Sequence, residues 1–239
     1  MSRREGSIFD IPMPLVTIMY LISLVLSLAI YVFLNHFWGE YILLSFDDLK
    51  GYGQSVISGL AHVWYIFLWG AGATLIFTII GLSGSDTVEY EPGEILVRGW
   101  WISANAGVFE ELIYRWLVFF CAMVTIPFFN FITFGFVEWM YNSLLIPVAN
   151  WSTLGVLEAQ LVHPQNWVLS AAIISASASF RNAHQHLGLF GWVNAWFIGM
   201  VMFFLVFNYG ILTAIFAHIL YDVVIFTTLA AASRFDRSW

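Results

Sequence analysis

The 239-residue chain is poor in charge and nearly without cysteine. Its eight Lys and Arg side chains are widely spread, and nucleic-acid binding needs them clustered, so nucleic acid is excluded as a partner. Charged residues amount to 10% of the chain, against roughly 25% in a soluble domain. That is too little to clothe a globule of this size in water. The single cysteine, Cys121, cannot form an internal disulfide and leaves the redox compartment open. Arg3 and Arg4 give a basic start, but the apolar stretch after them has no small-residue cleavage site, so no cleavable leader is expected. What is abundant is apolar: 61% hydrophobic residues and a mean hydropathy of +0.84. These values point to an integral membrane protein with the lipid bilayer as its surroundings.

A membrane span needs about 20 mostly apolar residues. Candidate spans run from about Pro14 to Phe33, Ser58 to Leu82, Gly107 to Thr125, just after Pro127 to Val148, Trp167 to His184, Gly191 to Phe207, and Ile211 to Ala231. The expected fold is all-α: one polytopic transmembrane helical bundle of about seven spans, within a range of six to eight. Strand barrels are excluded because the runs are continuously apolar rather than alternating. Pro127 is expected to kink or divide the third and fourth helices. The acid-rich stretch 83–106 reads as a polar loop, with room for a short strand or surface helix. Trp38, Trp100, Trp101, Trp151 and Trp167 fall near span ends, as interfacial anchors or packing residues. Arg3 and Arg4 at one end and Arg234 and Arg237 at the other put both ends on the cytoplasmic side, which conflicts with an odd span count.

Ionisable groups at membrane depth are costly unless paired or functional. In GVFEELIYRWLVFF, Glu111 and Arg115 lie four apart and can pair across one helical face. Glu110 points about 100° away and has no cation near it in sequence. It is either a general base or an acid at a helix start that lies at the interface. In SASASFRNAHQHLG, Ser175, Ser177 and Ser179 alternate with alanine and suit close helix packing. His184 follows as a site residue or a packing histidine. In GILTAIFAHILYDVVIF, His218 and Asp222 share a face. Asp222 could orient the ring and hold its tautomer, supply a metal ligand, or form a polar staple between helices. GLSG at Gly81–Gly84 is a short chance match, and a serine protease built on Ser83 is remote. Converging in a bundle, the Glu pair, His184 and the His218–Asp222 pair would form a polar pocket suited to activating water on a carbonyl.

With EELIYR at Glu110–Arg115, FRNAH at Phe180–His184 and HILYD at His218–Asp222, the chain resembles the CAAX protease and bacteriocin-processing (Abi) family of intramembrane proteases. Its motifs EExxxR, FxxxH and HxxxN or HxxxD occur here in the same order. The resemblance covers residues 95–232 approximately and leaves an N-terminal two-helix segment, about 11–82, without a motif. It implies a glutamate-type peptidase of a prokaryotic plasma membrane. Glu110, His184, His218 and Asp222 would be its catalytic residues, and Glu111, Arg115 and Phe180 its supporting ones. The substrate implied is a membrane-associated or lipid-anchored protein or peptide. Asp222 stands where eukaryotic prenyl-protein proteases carry Asn, and an ionised Asp would repel an oxyanion. No cofactor is expected. Zinc on Glu110, His184, His218 and Asp222 is formally possible but disfavoured, since HExxH is absent. The alternatives are a non-catalytic membrane binding or transport protein, and a zinc-dependent form of the same protease.

Overall fold

The computed structural model describes residues 12–15, 17–19, 21–22, 25–26, 29, 56–79, 91–162 and 167–236. Every regular element among them is helical. The first helix, α1 (Val56–His62), is bent by 54° against α2 (Trp64–Ile79). Then come α3 (Pro92–Ile132), α4 (residues 136–152), the short α5 (Glu158–Leu161), α6 (Trp167–Ala183), α7 (Gly188–Tyr209) and α8 (Ile211–Asp236). Three helical stretches are long and apolar enough to span a membrane: Pro92–Ile132, Gln185–Tyr209 and Ile211–Ser233. A fourth is added if α1 and α2 form one broken span. The count among the described residues is therefore three or four, where seven spans were expected. The α6 helix, at 17 residues, matches an expected span closely in its bounds but is short for a crossing.

Two boundaries differ from expectation. Residues 92–106 are helical rather than looped: Pro92 occupies the first turn, where its missing N–H costs nothing, and the helix runs on unbroken to Ile132. Pro127 lies inside that helix and does not divide it. The break comes at Phe134 and Gly135, both at positive φ (52° and 87°), where the Gly135 N–H caps the Asn130 carbonyl at 2.9 Å. Asn130 Oδ1 then accepts the Glu138 N–H at 2.9 Å, bracing the start of α4. The 81–84 segment with Ser83, Trp38 and the side chains of the terminal arginines lie outside the described residues.

The bundle centres on α3 and α8. The first half of α3 packs along α8, its second half packs against α6, α7 bridges α6 and α8, and α2 lies on α8. Small residues make the α3–α8 approach possible: Gly99, Ser103 and Gly107 recur every four positions and all are buried. A Cβ on Gly107 would stand 3.0 Å from the Ile219 backbone nitrogen, so only glycine allows this crossing without a shift. Trp100 and Trp101 donate to Thr227 and Thr17, tying α3 to α8 and to the helical residues near the N-terminus. Outside this core the helices present large apolar side chains such as Phe128, Phe131, Phe216 and Leu220. That outward apolar face belongs in lipid rather than water.

Candidate active site

Where α3 changes partner from α8 to α6, its residues Glu111–Val118 form a π-helical segment. Such a segment adds a residue to the turn and is frequent at functional sites. The same segment touches α6, α7 and α8. Glu110 immediately precedes it. Its partners come from far along the chain. Glu110 Oε2 lies 3.6 Å from His184 Nε2 and 3.9 Å from His218 Nε2.

Glu111 and Arg115 pair as expected, Oε1 to Nη1 at 3.3 Å, and both side chains are fully buried. The guanidinium also lies 4.0 Å over the ring of Phe180, which explains an aromatic residue at that position. Phe180 meets His218 edge-on at 5.9 Å and His184 at 4.5 Å, so one ring wedges both imidazoles. The holder of His218 differs from expectation. Its Nδ1 bonds Glu111 Oε1 at 2.6 Å, whereas Asp222 Oδ2 lies 3.7 Å from Nε2. Glu111, itself held by Arg115, is thus the carboxylate that orients the ring. Asp222 faces the opposite nitrogen across a gap.

The hydrogen bonds determine the ring tautomers. His184 Nδ1 lies 2.8 Å from the Phe180 carbonyl, an acceptor only, so Nδ1 carries the hydrogen. His218 Nδ1 likewise donates to the Glu111 carboxylate. In each neutral ring the Nε2 lone pair then faces Glu110. Polar atoms 3.6–3.9 Å apart are too far for direct hydrogen bonds and at a separation that one water bridges. His186 turns outward and stacks on His184 at 6.2 Å.

A cavity of about 90 Å³ opens onto His184, His218 and Asp222, enough for several waters. Its wall contains two polar residues that no motif marked, Asn194 on α7 and Tyr221 on α8. Trp69 Nε1 donates to Asn194 Oδ1 at 2.9 Å, and Asn194 Nδ2 donates to the Tyr221 hydroxyl at 2.9 Å. The amide is thus locked from two sides, and among the described residues one of its two Nδ2 hydrogens has no partner. The one sequence signal for Asn194 was a lone amide within an apolar span. The structure brings together all seven residues expected at the site. Among the described residues, no group of three or more His, Cys, Asp or Glu side chains has the arrangement of a metal centre. No protein-family model, curated protein or solved structure matches the chain.

Proposed function

We propose that the chain is an intramembrane endopeptidase that uses Glu110 to activate water. The observation that carries this reading is the convergence of two imidazole Nε2 atoms on Glu110 Oε2, at 3.6 and 3.9 Å, beside a small cavity among apolar helices. A water between Glu110 and His184 attacks the peptide carbonyl carbon and gives one proton to Glu110. The carbonyl oxygen becomes an oxyanion facing the free Nδ2 hydrogen of Asn194, a neutral donor of the kind such sites need. The C–N bond then breaks, and Glu110 returns the proton to the departing amine. Asn194 takes the donor role that an ionised Asp222 cannot fill. Glu111, Arg115 and Phe180 hold the rings in place.

Apolar walls and a site within the bundle favour a substrate that reaches it from the bilayer, a membrane-associated or lipid-anchored protein or peptide. The same reading assigns the protein to a prokaryotic plasma membrane. The test is a peptide-library digest by the purified full chain in detergent, alongside Glu110→Gln and His184→Ala. Loss of one general acid–base group is expected to slow cleavage by about 10²–10⁴-fold with helical content unchanged. Full activity of both variants on a confirmed substrate would refute the assignment. Peptide binding without any cleavage by the wild type would favour a binding or transport protein.

A further inference from the structure

A second opening lies on the other side of α6 and α7. On α7, Asn194, Ala195 and Ile198 face the candidate active site, while Trp192, Val193 and Trp196 face a groove of about 620 Å³. The remaining walls come from α4 and α6, with Leu145, Val148 and Ile174 among them. That volume is typical of a small-molecule site. At one end stands Arg181, in the last turn of α6. Its guanidinium carbon lies 3.9 Å over Trp192 and 5.5 Å over Trp196. Nε and Nη2 donate to Asn182 Oδ1 at 3.3 Å, and Asn182 Oδ1 also accepts from Trp192 Nε1 at 3.2 Å. Arg98 and Arg115 both pair with carboxylates, but Arg181 makes no ion pair among the described residues. Among the described residues it is a cation stacked on two indoles without a counter-charge. Below it the groove descends about two helical turns along α6 to Ile174.

We propose that this groove binds one anionic phospholipid, its phosphate on Arg181 and one acyl chain along α6. A fixed guanidinium presents paired donors that match phosphate geometry. Basic pockets between membrane helices at headgroup depth are the usual form of such a site. The walls beneath, apolar apart from the hydroxyls of Tyr141, Ser152, Ser175 and Ser179, suit a hydrocarbon chain. This site is separate from the proposed peptidase centre and stands without it.

The test is native mass spectrometry of the full chain titrated with dioleoylphosphatidylglycerol or dioleoylphosphatidylcholine. Wild type should hold one phosphatidylglycerol about tenfold more tightly than phosphatidylcholine, whose choline cation offsets the phosphate charge that Arg181 would meet. Arg181→Gln should erase that preference, Arg181→Lys should keep part of it, and Ala178→Phe, which fills the groove, should weaken both lipids. If Arg181→Gln does not fold by circular dichroism, the other two variants decide. The proposal falls if wild type shows no preference, if Arg181→Gln retains it, or if Ala178→Phe binds as wild type does. It also falls if glycerol phosphate without a tail competes fully. A Michaelis constant for peptide raised by Arg181→Gln, with lipid binding unchanged, would instead make the groove a peptide subsite and overturn the lipid assignment.

Discussion

Removing the Arg115 guanidinium tests how the site is held together. Arg115 and Glu111 are both fully buried, with Nη1 3.3 Å from Oε1. Arg115→Met keeps an unbranched apolar stem and strands the Glu111 carboxylate with His218 Nδ1 as its partner. Breaking one half of a buried pair costs about 3–5 kcal/mol. Lost stacking on Phe180 at 4.0 Å adds up to about 2 kcal/mol. The double variant Glu111→Gln/Arg115→Met removes both charges, and the Gln carbonyl can still accept from His218 Nδ1. It should recover at least about 2 kcal/mol relative to Arg115→Met, because an absent pair is cheaper than a broken one. For a chain of this size, a loss of 3–5 kcal/mol corresponds to roughly 6–20 °C in Tm. Thermal unfolding in detergent, followed by helical circular dichroism on the four proteins of the cycle, reads both numbers. If Arg115→Met melts with the wild type, or the double variant melts no higher than the single, the pair does not hold the site.

Other consequences follow from the same geometry. Gly107→Ala should separate α3 from α8 at Ile219, cost about 1–3 kcal/mol, and lower the proposed peptidase activity by moving Glu110 away from His218; equal Tm and activity would show that the crossing tolerates a methyl group. Asn194→Ala should cost about 10²–10³-fold in kcat as an oxyanion donor is lost, whereas Asp222→Asn, isosteric and uncharged, should stay within about threefold. The reverse ranking in a single-turnover assay would return the donor role to position 222. A metal-free mechanism predicts activity that survives chelation in protein with less than stoichiometric zinc; elemental analysis showing one zinc lost together with activity would replace it.

Composition alone excluded a water-facing globule, because 10% charge cannot cover one. The pairing of Glu111 with Arg115, and the placing of His218 and Asp222 on one face, were also legible, since a helix brings residues four apart together wherever it forms. The starts and stops of helices were less so. Pro127 was expected to kink or divide the helices around it; it does not divide them, and the stop is the left-handed Phe134–Gly135 turn, whose backbone conformation no apolar run announces. Local periodicity set Glu110 apart from Glu111 but could not say what it would meet, since its partners His184 and His218 come from other helices. Only the tertiary structure decided which carboxylate holds which imidazole. Glu111 reaches His218, 107 positions away, because glycine at 107 lets two backbones approach, and Asn194 joins the same cavity from a third helix. Such contacts depend on how helices cross, and the crossing is set by the packing of whole faces rather than by any one segment.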